Sequence, residues 1–140
     1  MTHISTNHIT ASVANALQYI SYYHPPDFIE SMSRAYEREA SESAKNAIGQ
    51  ILINSRMAAE GHRPMCQDTG IVVVFIKIGQ SVVIDGDISL QSAIDEGVRQ
   101  AYTDPDNPLR ASIVSPPIGE RRNTGDNTPA VVHIEMVTGD

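Results

Sequence analysis

The chain has 140 residues, a formal charge of −7 and an isoelectric point near 5.1, enough length for one domain burying roughly two thirds of its unfolded surface. The acidic balance argues against a nucleic-acid binder, whose footprint is basic. One cysteine excludes an intrachain disulfide, no apolar run approaches the roughly 20 residues that span a bilayer, and Met1–Ser5 carries neither a basic patch nor an apolar signal core. A cytoplasmic protein with no membrane or nucleic-acid partner is therefore expected.

In chain order, Ile9, Val13, Ala16, Leu17 and Ile20 are spaced as one face of a helix that Thr10 could cap. Tyr22-Tyr23-His24-Pro25-Pro26 ends it, because two prolines cannot continue a helix. Asp27 followed by Glu30 resembles a capping box, and a second helix is predicted from there to about Ala59, with a small kink near Ser41. Gly61 is the expected left-handed stop, reinforced by Pro64. Ile71-Val72-Val73-Val74-Phe75-Ile76 is a continuous apolar, β-branched run and reads as a buried strand, taken to extend to Ile78. Gly79-Gln80-Ser81 and Val82-Val83-Ile84 suggest a hairpin turn and a return strand.

Ser89 is a good N-cap, and Leu90, Ala93, Ile94, Val98, Ala101 and Tyr102 follow helical spacing until Asp104-Pro105-Asp106-Asn107-Pro108. From Leu109 to Pro129 the chain is rich in proline, glycine, asparagine and arginine, and a loop of that length in a compact domain is commonly functional or disordered. Ala130 to Val137 reads as a last strand. The mixture predicts an α/β (mixed α+β) fold, with a small mixed sheet covered by helices.

Chemistry concentrates between the second helical pattern and the strand, in Arg63-Pro64-Met65-Cys66-Gln67-Asp68-Thr69-Gly70. Three uses of the lone cysteine stay open on the residues alone. It could be a small buried hydrophobe, a nucleophile activated by His62 or Arg63, or a metal ligand lacking neighbours at ligand spacing. Polar Gln67 and Asp68 beside it argue against simple burial, since a buried unpaired carboxylate costs several kcal/mol. His3, His8, His24, His62 and His133 show no ligand spacing and read as surface or strand residues. Arg121-Arg122 reads as a solvated loop pair, and Asp126 and Asn127 as turn stabilisers.

The loop Pro64–Gly70 followed by an apolar strand resembles the cluster-binding loop of the iron–sulfur (class I) fumarate hydratases and the related tartrate dehydratase alpha subunits. Asn123-Thr124-Gly125-Asp126-Asn127-Thr128-Pro129-Ala130 resembles a second segment of that family, and Leu109-Arg110 with Ser112 the leucine-arginine pair upstream of it. Two motifs in the same order, over about Thr10 to Asp140, make the resemblance specific.

The resemblance implies a [4Fe–4S] cluster held by three cysteines, with one iron acting as a Lewis acid in the reversible hydration of fumarate to malate. It implies Cys66 as the first ligand, Gln67 and Asp68 as groups orienting the substrate's hydroxyl or carboxylate, and Arg110 as the partner of a carboxylate. No residue is assigned as catalytic base. Two further cysteine ligands are absent from this chain. Residues 1–140 are therefore expected to be the N-terminal, incomplete part of the alpha-type domain of a longer hydro-lyase, inactive by itself and homodimeric when complete. Fumarate is favoured over tartrate; a non-catalytic dimerisation or regulatory module of the same fold is the alternative.

Overall fold

A computed structural model describes all residues except Asp68, Thr69, Pro117 and Asp140. In chain order the elements are β1 (His3–Ser5), α1 (Thr6–Tyr22), α2 (Pro26–Arg38), α3 (Glu42–Gly61), β2 (Val73–Gly79), β3 (Val83–Asp85), α4 (Leu90–Tyr102), β4 (Val114–Ser115), β5 (Arg122–Asn123) and β6 (Val131–Val137). The expected α/β class is found. The chain forms two compact units, one comprising Met1–Gln18 with Gln67–Asp140 and the other Tyr19–Cys66.

The first unit is built on two parallel strand–helix segments. β1 pairs with β3 in parallel, His3 opposite Val83, and each strand leads into a helix, α1 or α4. These helices also run side by side in one direction: Thr10 Oγ1 donates to Ala93 O at 2.9 Å, and eight residues further along both, Gln18 Nε2 donates to Ala101 O at 2.7 Å. A side chain at position 97 would prevent that approach, because a Cβ there would stand 2.6 Å from Thr10 O and 2.7 Å from Val13 Cβ. Around this pair Val72, Ile94, Val98, Ala101, Tyr102, Leu109 and Ala130 form the buried core.

Several local expectations are corrected. Thr10 is inside α1, not at its start; the hydroxyl of Ser5 accepts the His8 N–H at 3.2 Å, the geometry of an N-cap. The hairpin after β2 does not form. The Val82 N–H closes a tight turn onto Gly79 O, but β3 departs to β1, while β2 pairs in parallel with β6 over seven residues from Val73↔Val131 to Gly79↔Val137. Seven paired positions, four of them apolar on both strands, outweigh a three-residue return strand, and residues 80 to 130 supply the long crossover that a parallel pair requires. β2 is also not buried on both faces: Phe75 is 79% exposed and stacks on His133, and Lys77 pairs with Glu135 at 3.3 Å beside it.

In the second unit the predicted kinked helix is two helices, because Glu39 and Ser41 are extended. Asp27 accepts the N–H of its neighbour Phe28, and Glu30 turns to Arg34, so no capping box forms. The left-handed stop falls on His62 (φ 46°), one residue later than Gly61.

The long loop is tied to α4. The Asp126 carboxylate accepts from Arg99 Nε at 3.0 Å and from both the N–H and the hydroxyl of Thr128, and Asp95 accepts the Ala130 N–H at 2.8 Å. Burial pushes the Asp126 carboxyl up, but the bonds from Thr128 and Arg99 outweigh it and hold the group below the ordinary carboxylate range. The hydrogen bond to Asp126 is correspondingly the main cause that raises the Arg99 guanidinium.

Two outcomes follow. Gly97→Ala, normally a gain of about 1 kcal/mol in a helix, should instead destabilise by about 1–3 kcal/mol through overpacking against Thr10 and Val13, as read by urea unfolding. A group whose folded pKa is lowered contributes stability above the ordinary carboxylate range and loses it as the pH falls through that range. Asp126→Asn should therefore lower the urea midpoint at neutral pH, with the gap to wild type narrowing as the pH falls through and below the ordinary carboxylate range; a gap constant with pH would exclude this role for the carboxylate.

Candidate functional site

The second unit ends in the cysteine loop, which is clamped at the residue before Cys66. Met65 N–H donates to Ser21 O at 2.9 Å, and Met65 O accepts from Asn54 Nδ2 at 2.9 Å, so both backbone polar groups of Met65 are fixed. His62 sets the route into this segment. Its ring stacks on Tyr22 with centroids 4.8 Å apart and lies 3.4 Å from the Tyr23 hydroxyl, contacts that offset the cost of a left-handed non-glycine residue. Cys66 itself is exposed, so of its three possible uses, that of buried hydrophobe is removed.

In the first unit Gln67 is exposed, and Gly70 adopts a left-handed backbone (φ 57°) on the way into the strand. Arg110, also exposed, is held from both sides along the chain. Leu109 before it is buried in the core. After it, the segment Asn123–Asn127 binds the backbone of residues 111 to 113: Asn123 Nδ2 donates to Ala111 O at 2.9 Å, Thr124 N–H donates to Ile113 O at 3.0 Å, and Asn127 Oδ1 accepts from Ser112 N–H at 2.7 Å and Ile113 N–H at 3.1 Å. The short antiparallel pair of β4 and β5, Val114 opposite Asn123, continues the same contact. Asn127 Nδ2 donates to Gly70 O at 3.0 Å, linking this segment to the one that follows the cysteine loop. The Thr124 hydroxyl is buried with no hydrogen-bond partner among the described residues.

The sequence-predicted residues thus fall in three groups. Cys66 closes the second unit, Gln67 and Arg110 belong to the first, and Asp68 lies outside the described residues. Arg110 stands next to a backbone ordered by side-chain hydrogen bonds in place of regular structure. The donor set does not fit a four-iron cluster by itself. The chain supplies one thiolate, and among the described residues no three His, Cys, Asp or Glu side chains are grouped as metal ligands. Arg121 and Arg122 are exposed, as expected of a solvated pair.

Sequence reasoning missed Asn54, which gave no signal as one polar residue on a helix face. It underrated Asn127, whose bonds reach well beyond its own turn.

The sequence model of the fumarate hydratase (Fumerase) family matches residues 10–140. Among curated proteins, the chain is 34% identical over 125 residues to a putative L(+)-tartrate dehydratase subunit alpha of Methanocaldococcus jannaschii, covering 88% of this chain and 43% of that protein. It is 32% identical over 124 residues to the L(+)-tartrate dehydratase subunit alpha of Escherichia coli K12, covering 89% of this chain and 39% of that protein. The chain thus spans about two fifths of the length of these relatives. With the family matched from Thr10 through both motif-bearing loops, this chain belongs to the fumarate hydratase (Fumerase) family of hydro-lyases.

Proposed function

We propose that residues 1–140 are the N-terminal, alpha-type segment of a longer hydro-lyase, in which they contribute the carboxylate-binding arginine and one cluster ligand. The observation that carries this reading is the hydrogen-bonded platform under Arg110, built by Asn123, Thr124 and Asn127. An exposed arginine on a mobile loop would lose much of its binding energy in being ordered; here the ordering cost is met on folding. The relatives' greater length supports a longer chain or assembly that supplies what these 140 residues lack.

The substrate class is a four-carbon dicarboxylate. Arg110 pairs with one carboxylate through its fork, while Gln67 and Asp68 orient the substrate's hydroxyl or second carboxylate through an amide and a carboxylate group. Cys66 is one thiolate of a [4Fe–4S] cluster whose two other cysteines lie outside residues 1–140. The family's description supports fumarate and malate, whereas the names of the relatives support L(+)-tartrate and a companion chain beside the alpha subunit. Fumarate hydration and L(+)-tartrate dehydration, assayed on the same preparation, distinguish the two, and a homodimer is distinguished from a mixed assembly by mass.

In the complete hydro-lyase, Arg110→Ala should leave the cluster absorbance unchanged and lower kcat/KM by roughly two to four orders of magnitude, equivalent to about 3–5 kcal/mol. Lysine at this position should rescue in part, since it keeps the charge and loses the fork. Near-normal turnover of Arg110→Ala would end the assignment. Cys66→Ser should remove the cluster absorbance itself. The 140-residue chain, reconstituted anaerobically with iron and sulfide, should take up no stoichiometric four-iron cluster because it offers one thiolate; iron analysis giving four irons per monomer would refute the division of ligands.

A further inference from the structure

Asn127 is wholly buried and ranks with Ile94 and Val98 among the largest such side chains. An amide buried to that degree is stable only with its hydrogen bonds made. Its oxygen takes two N–H groups, from Ser112 and Ile113, and its nitrogen gives one bond to Gly70 O. One end of this bridge lies two and three residues after Arg110; the other lies three residues after Gln67. Asn127 itself sits at φ 62°, a left-handed backbone that asparagine tolerates better than most residues. A residue serving only its own turn would bond within it, as Asp126 does to Thr128. Asn127 reaches instead across two separate segments 15 and 57 residues away.

We propose that Asn127 is a positioning residue for dicarboxylate binding: its side-chain amide fixes the Gly70 and Ser112–Ile113 backbones to each other, and so holds the segment that carries Arg110 in place against the entry to the Val73 strand. The inference rests on the reading that Arg110 meets a substrate carboxylate. The two bond types are separable by substitution. Asn127→Asp keeps an acceptor for Ser112 and Ile113 but has no N–H for Gly70, and its carboxylate repels that carbonyl. Asn127→Gly permits the same backbone and removes all three bonds.

Two measurements test it. In the 140-residue chain, amide hydrogen exchange at Ser112 and Ile113 should be near wild type in Asn127→Asp and at least about tenfold faster in Asn127→Gly, the scale of losing a net hydrogen bond. In the complete hydro-lyase, Asn127→Asp should raise KM for the dicarboxylate about tenfold or more with the cluster absorbance retained, and in the Arg110→Ala background it should add little, because the group it positions is gone. A purely structural brace would lower the melting temperature and leave KM unchanged, and that result in Asn127→Asp would overturn the proposal. Unchanged exchange in Asn127→Gly would also overturn it. If Asn127→Gly does not fold, Asn127→Asp and the double variant decide. Normal KM and turnover in Arg110→Ala would instead remove the reading on which the inference rests, whereas a damaged Arg110→Ala beside a normal Asn127→Asp would sink this inference alone.

Discussion

The loop from Leu109 to Pro129 has little regular structure with which to bind its own backbone, yet part of it is buried, and buried backbone groups left without partners are expensive. The side-chain amides of Asn123 and Asn127 resolve this by acting as substitute strand partners for residues 111 to 113. The loop consequently has defined geometry where it carries Arg110. Order obtained in this way depends on a few polar atoms, so it is more sensitive to single substitutions than a helix or a ladder of comparable length.

That loop in turn needs a fixed base, which α4 provides. Ile94, Val98, Ala101 and Tyr102 build the core from one face of the helix, and Asp95 and Arg99 bind Ala130 and Asp126. α4 is itself placed by α1, through a contact close enough to require glycine at position 97. Packing therefore runs from α1 to α4 to the loop, each step using different chemistry: backbone proximity, apolar burial, and then charge-assisted hydrogen bonds.

The cysteine segment is constrained differently. Both polar groups of Met65 are bound, and the aromatic cluster of Tyr22, Tyr23 and His62 directs the chain as it leaves α3. Clamping the backbone one residue earlier leaves the Cys66 side chain exposed on a fixed segment, as its proposed role as a cluster ligand would need. The acidic net charge of −7 is compatible with the proposed role of Arg110, since a small dicarboxylate would need one localised cation and not a broad basic field.

The sequence by itself determined α4 from Ser89 onward, because spacing and cap agree there, and it determined the two loops that carry the motif residues, because proline and glycine exclude other structure at those points. It also contained the family, through Pro64–Gly70 and Asn123–Ala130. Only the tertiary structure decided the pairing of strands. β3 lies near β2 in sequence and reads as its hairpin partner, but the longer β6, matched to β2 over seven residues, takes that place and β3 goes to β1. Only the tertiary structure, too, revealed the reach of Asn127. Local sequence suggests that an asparagine in a glycine-rich loop serves a turn, whereas bonds to residues 15 and 57 positions away arise from how the folded chain brings those segments together. Hydrophobic periodicity is a local property and can be read along the chain; the partner of a polar side chain is a non-local one, and it exists only once folding has brought the backbone groups it satisfies beside it.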